Sequence, residues 1–158
     1  IPHATMRDGA PNGYSIITFD GVTHTLDFKA ARQPAGYQLN IFAPDEVPAA
    51  RTGQAEVYVN VFNGSPKSEV KMRVDGTGEW IALQKVLEAD PHYVAVRNRE
   101  IEANPEGKKQ LNSPVPSDHL WKANLPEGLA RGAHLIEVEA TDAYGRVHHG
   151  RRAVRVVE

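Results

Sequence analysis

Ala55-Glu-Val-Tyr-Val-Asn-Val-Phe62, then Asn63-Gly64-Ser65-Pro66, then Val70-Lys-Met-Arg-Val74: two apolar runs of period two stand on either side of a turn. Side chains alternate across a strand, so Ala55, Val57, Val59 and Val61 share one face. Tyr58 and Phe62 make the opposite face apolar as well, which predicts a strand covered on both sides. In the second run Val70, Met72 and Val74 face inward while Lys71 and Arg73 face water. Asp75-Gly76-Thr77-Gly78 turns the chain again before Trp80-Ile81-Ala82-Leu83. The recurring signal is a period of two with turn residues between, and no long helix is read from it.

The same period extends in both directions. Residues 16–28 read Ile-Ile-Thr-Phe, Asp20-Gly21, Val-Thr-His-Thr-Leu-Asp-Phe, and Asp-Gly predicts a hairpin with a two-residue type I′ turn. Tyr37 to Phe42 forms a further strand that Ala43-Pro44 ends. Beyond the middle of the chain come His119 to Ala123, a Pro- and Gly-built corner over residues 125–134, and Ile136, Val138 and Ala140 alternating with Glu137, Glu139 and Thr141. Asp142-Ala143-Tyr144-Gly145 turns into a last strand from about Val147 to Val157. Seven to nine strands with turns between them predict an all-β, immunoglobulin- or fibronectin-like β-sandwich with an N-terminal hairpin. Between residues 84 and 118 the pattern fails. Asp90-Pro91, Asn104-Pro105, Pro114 and Pro116 interrupt it, and Tyr93, Val94, Val96 and Ile101 give residues 92–103 no clean helical stripe. A long irregular insertion is expected there, with Tyr93 as an exposed aromatic.

The chain has 158 residues, one-domain size, and a chain of this length buries roughly 70% of its unfolded surface. Hydrophobic residues at 41% and charged residues at 24% are ordinary globular composition. Eighteen Lys and Arg against 20 Asp and Glu leave a formal charge of −2, too little positive field to collect phosphates, so no nucleic-acid partner is expected. No apolar run approaches the ~20 residues of a membrane-crossing helix, so no membrane span is expected. Cysteine is absent, which removes disulfides, thiolate metal sites and cysteine nucleophiles while leaving the compartment open.

The seven histidines do not assemble a metal motif. His148 and His149 are neighbours on a strand and point to opposite faces, and the others stand singly among polar or turn residues. No Gly-x-Ser-x-Gly nucleophile is present, and the Gly-rich residues 8–14 lack the lysine and helix of a phosphate loop. Asp20 with Asp27, and Glu137 with Glu139, read as a turn and a wet strand face. Arg146, His148, His149, Arg151 and Arg152 form a basic cluster, read as a solvated edge strand with anion binding as the alternative. Trp80 and Trp121 are either core anchors or platforms for a ligand.

Residues 8–20, Asp-Gly-Ala-Pro-Asn-Gly-Tyr-Ser-Ile-Ile-Thr-Phe-Asp, resemble a segment of the C-terminal domain of bacterial calcineurin-like phosphoesterases. The resemblance continues through Tyr37 to Pro44, Val59 to Ser65, Met72 to Gly76, Asp90-Pro91, Ser117 to Ala123, Gly132-Ala133-His134 and Thr141 to Gly145. It implies a non-catalytic accessory sandwich behind a metallophosphoesterase core in the same polypeptide. Residues 1–7 would be the linker from that core and residues 8–158 one domain. Divalent metal ions and catalytic residues would belong to the core, with no cofactor in this chain. The resemblance further implies an exported bacterial protein, periplasmic or at the cell surface, with the core and a homodimer mate as partners. Asp8, Asn12, Tyr14, Tyr93, Asp118, His119 and Trp121 are the candidate interdomain or ligand contacts. A rival reading makes the chain a glycan- or surface-binding module using Trp80, Trp121, Tyr93 and Asp118. A third, a small enzyme built on His119 and Asp118, lacks any further partner of defensible spacing.

Overall fold

Two sheets bury their alternating valines against each other. The computed structural model describes residues 5–107 and 110–158. Its elements are β1 Gly13–Asp20, β2 Thr23–Ala30, β3 Leu39–Phe42, β4 Glu46–Pro48, a 3-10 helix Ala49–Gln54, β5 Glu56–Val61, β6 Glu69–Val74, β7 Thr77–Ala82, β8 Gln84–Ala89, α1 Pro91–Ala103, β9 Pro116–Asn124, β10 Gly132–Thr141 and β11 Val147–Val157. One sheet has the order β4-β11-β10-β6-β7 and the other β3-β5-β9-β8, while β1 and β2 stand apart as a hairpin. Only the short contact of β4 with β11 is parallel among these pairings. Leu39, Ile41, Val57, Val59, Val61 and Trp121 from the four-stranded sheet meet Val70, Met72, Val74, Ile136, Val138 and Val154 from the five-stranded one in a single buried cluster. The chain is an all-β sandwich, as the period-two pattern predicts. β5 is an inner strand between β3 and β9, and just beyond its end Phe62 is covered by Phe28 of the hairpin.

The hairpin forms where expected, with a different turn. Asp20 pairs with Thr23, so Gly21 and Val22 are the loop residues. Gly21 has φ +58°, and Val22 is not among the positive-φ residues. These are the φ signs of a type II′ turn. A type I′ turn would need positive φ at both central residues, which β-branched Val22 resists. The Asp75-Gly76 turn between β6 and β7 does carry two positive φ values, 58° and 66°, as type I′ requires.

The insertion 84–118 is more regular than its prolines suggest. Leu83, buried, is the point where the chain leaves one sheet at β7 and joins the other as β8, which pairs with β9. Helix α1 follows at once. Asp90 is its N-cap, accepting from the Tyr93 backbone N–H at 2.9 Å, and Pro91 occupies its first turn. Proline is tolerated there because the amide it lacks would have had no helical partner. Among the described residues of the insertion, those on the return stretch before β9 have no regular structure, and side chains tie Leu111 down: Arg97 Nε donates to Leu111 O, and Leu111 N–H to Glu100 Oε2.

The basic cluster lies on β11 and, with Arg146, on the turn before it; β10 pairs β11 from Val147 to Val156, and β4 joins only at Arg155–Val157. Its charges are matched: Arg151 with Glu137 at 3.3 Å, Arg152 with Asp45 at 2.7 Å, and Arg146 with both Asp142 and Asp27. Cross-strand neutralisation of this kind leaves little charge for a bound anion. No helix among the described residues is long and apolar enough to cross a membrane.

Candidate functional site

The N-terminal segment is knotted to the sandwich through side chains from four places in the sequence. Thr5 bridges to Pro11, and Met6 N–H donates to Ala10 O at 2.6 Å, closing a tight loop around Asp8 and Gly9. Asn60 of β5, buried, donates from Nδ2 to Asp8 O and to Asp90 Oδ2, both at 2.9 Å. Those two donations fix the amide orientation, so Asn60 Oδ1 is the acceptor facing His119 Nδ1 at 2.8 Å. The proton of that imidazole therefore sits on Nδ1. His119 Nε2 lies 3.5 Å from Asp8 Oδ2, and the contact becomes an ion pair when Nε2 is protonated too. The contact with His119 Nε2 holds the Asp8 carboxyl below its usual range, against a partial burial that pushes the other way.

Asp90 closes the knot. Its carboxylate is buried, with Oδ1 capping α1 and Oδ2 held by Asn60. Gly9, at φ +87°, passes so near that a Cβ there would lie 2.2 Å from Asp90 Cγ. Arg7 adds two further ties, donating from Nε to Ser113 O at 2.7 Å and accepting at its carbonyl from Val115 N–H at 3.1 Å. The incoming chain is thus fixed against the β8–α1 corner and the stretch leading to β9.

The seven candidate residues divide. Asp8 and His119 meet, and Tyr93 joins them through Asp90. Tyr93 is not the exposed aromatic expected of it: the ring is buried at the start of α1 and its hydroxyl donates to Asn112 O at 2.9 Å. Trp121 is core, buried inside the main cluster. Asp118 points into solvent, with its carboxylate on Lys85 Nζ at 2.6 Å, and makes no bond to His119. Asn12 and Tyr14 lie at the base of the hairpin, where Asn12 O accepts from Ala31 N–H and Tyr14 is exposed. Asn60, Asp90 and Gly9 are the members that motif reasoning missed. Asp90-Pro91 carried a signal, an N-cap followed by proline, and Asn60 stood out as a polar residue within an apolar strand.

Ser117, His119 and Asp8 are the residue types of a hydrolytic triad, yet the geometry does not make one. Ser117 is sealed from solvent, its Oγ lies 3.4 Å from His119 Nδ1, and that nitrogen is already committed to Asn60. The carboxylate is on the far nitrogen at 3.5 Å. A substrate has no place between these groups. No group of three or more His, Cys, Asp or Glu among the described residues is arranged to hold a metal ion. The platform reading keeps one aromatic, Trp80, half-buried on the outer face of the five-stranded sheet with Lys71 Nζ and Arg73 Cζ each 4.6 Å from its ring centre. Beside it a groove of about 510 Å³ is lined by Arg73, Glu137, Glu139, His149 and Arg151.

Within the all-β sandwich, the polar side chains of the knot bond to one another and to backbone groups. The chain belongs to the family described as the C-terminal domain of calcineurin-like phosphoesterases, whose model matches residues 1–148. No curated protein matches it. Among solved structures it is similar to CopC from Methylosinus trichosporium OB3b, with 16% identity over 74% of this chain and 88% of that one, at a TM-score of 0.37.

Proposed function

We propose that this chain is the non-catalytic accessory domain of a calcineurin-like metallophosphoesterase. It packs on the catalytic domain that precedes it in the polypeptide and shapes substrate access there or holds two copies together. The observation that carries this reading is the family match across nearly the whole chain. The knot around Asp8 supports it, because buried bonds that fix an incoming chain suit a domain that has to hold a set position relative to a neighbour. Divalent metal ions and the hydrolytic residues belong to that neighbour, and the protein is exported by a bacterium to the periplasm or cell surface.

The test is hydrolysis of a chromogenic phosphodiester with added Mn²⁺, comparing the 158-residue chain with the full-length polypeptide. Turnover by the full-length protein and none by the isolated chain is the expected result. Metal-dependent turnover by the isolated chain would refute the reading. The glycan-binding alternative loses Trp121 and Tyr93 to the interior, and cationic side chains lie over the ring of Trp80.

A further inference from the structure

We infer that the β1–β2 hairpin is the arm through which this domain docks on the catalytic domain; the inference rests on the accessory-domain reading above. β1 is exposed along its whole length. Phe19 is 70% exposed, Val22 at the tip is fully so, and Tyr14, Ile16 and Ile17 are about half exposed. Asp20 is the only charged residue of β1. Other wet strand faces of this molecule are guarded by paired charges, Lys71 with Glu139 and Arg73 with Glu137. An eight-residue strand that exposes Tyr14, Ile16, Ile17 and Phe19, with no lysine and no proline, is the kind of edge that proteins leave bare only when something covers it.

Among the described residues, the side-chain ties that hold the hairpin to the sandwich run through β2. Asn63 Nδ2 and Arg146 Nη2 donate to Leu26 O at 3.2 and 2.7 Å, and Gln38 Nε2 to Phe28 O at 2.7 Å. Arg146 also pairs with Asp27, and Phe28 packs edge-on against Phe62 at 5.7 Å. Among the described residues, none of the hydrogen bonds that fix the hairpin to the sandwich comes from β1. Asp20 and Thr23 flank a two-residue loop, so they are a hydrogen-bonded pair and every second residue back along β1 also faces β2. Ser15, Ile17 and Phe19 therefore turn their N–H and C=O groups outward. A partner meets a free backbone edge with Tyr14 and Ile16 on one face, and Ile17 and Phe19 on the other.

Size and position select the occupant. Five exposed apolar side chains are few for a free-standing complex, which buries roughly 1,200–2,000 Å². Interfaces between domains of one chain work at about 600 Å² upward, because the tether supplies an effective concentration in the millimolar range. The incoming chain is pinned at the base of the hairpin by the Thr5–Pro11 bridge, by Asn60 on Asp8 O, and by Ala31 N–H on Asn12 O at 2.8 Å. A domain attached ahead of Thr5 is therefore delivered beside β1.

Hydrogen–deuterium exchange on the full-length polypeptide and on the 158-residue chain tests this. Amides of residues 15–22 should exchange at least about tenfold more slowly in the full-length protein, at every protein concentration. Phe19→Asp and Ile17→Asp should leave the melting temperature of the 158-residue chain unchanged. In the full-length protein they should abolish the protection and speed proteolysis of the segment between the domains. Equal exchange in the two proteins would overturn the inference. So would protection that appears in the 158-residue chain as its concentration rises, since the occupant would then be a second copy. Protection in a full-length protein without phosphodiesterase activity would leave the docking standing and sink the accessory-domain reading instead.

Discussion

Asp90 serves two structures with one carboxylate, and the cost of removing it follows from both. Asp90→Ala loses an N-cap, about 1 kcal/mol, and leaves one of the two protons of the buried Asn60 amide without an acceptor, about 1–3 kcal/mol more. A loss of about 2–4 kcal/mol, seen as a lower denaturant midpoint at unchanged slope, is expected. Asp90→Asn should cost less, because asparagine still caps. Equal losses would mean that the cap contributes nothing. A second residue-scale prediction concerns His134, whose pKa is raised by its hydrogen bonds to Ala130 O and to Asp75, both at 2.7 Å. A raised histidine contributes stability that is full below its unfolded pKa of about 6.5 and is lost as pH rises through the higher folded value. Asp75 is lowered, first by the Leu135 backbone N–H and then by His134, so its share is lost in acid instead. The denaturant midpoint should therefore fall from pH 5.5 to pH 8.5 in a component that His134→Gln removes. An identical pH dependence in the variant would exclude the pair as its source.

At the scale of elements, what the sequence makes legible is what local chemistry alone determines. The strands of the central sandwich are readable because one buried face imposes a period of two, and that period survives in Val57–Val61 and Val70–Val74 whatever the neighbours do. Helix α1 is hidden for the opposite reason. Of its residues only Tyr93 is buried, so no stripe forms, and its start is marked by Asp90-Pro91 rather than by hydrophobic spacing. β8 escapes notice because Lys85 and Glu88 take their partners, Asp118 and Lys122, from β9, which is far away in sequence. The hairpin turn follows the same logic, since pairing register is a property of both strands and moved the loop by one residue. Gly21→Ala puts a side chain at φ +58°, at a cost of about 1–2 kcal/mol. Arg146, Gln38 and Asn63 hold β2 independently, so the loosening should stay local. Amides of β1 should exchange faster while the thermal transition of the sandwich stays in place. A transition that falls along with β1 protection would show the hairpin to be part of the cooperative core.

For the molecule as a whole, the two sheets are brought to their separation by residues that sequence reading leaves ambiguous. Trp121 reads from the sequence as a core anchor ahead of a ligand platform, but no periodicity there distinguishes an inward from an outward indole. The structure resolves it through Gly64, a residue legible only as part of a turn. A Cβ on Gly64 would lie 2.6 Å from Trp121 Cη2 and 2.7 Å from Cζ3. The turn between β5 and β6, which carries the chain from one sheet to the other, thus closes directly onto the ring that fills the space between them. The indole belongs to the main buried cluster, so the ring cannot shift without disturbing its neighbours there. Overpacking of this kind costs about 1–3 kcal/mol, and each kcal/mol lowers the melting temperature of a domain this size by about 2–4 °C. Gly64→Ala should therefore melt roughly 2–12 °C lower. Trp121→Phe opens a cavity and destabilises by itself, but it also removes the atoms that the new methyl strikes. The double variant should be more stable than the sum of the two losses predicts, because contacting residues are coupled. Additive losses in that cycle would show that the turn yields elsewhere, and that Gly64 does not set the distance between the sheets.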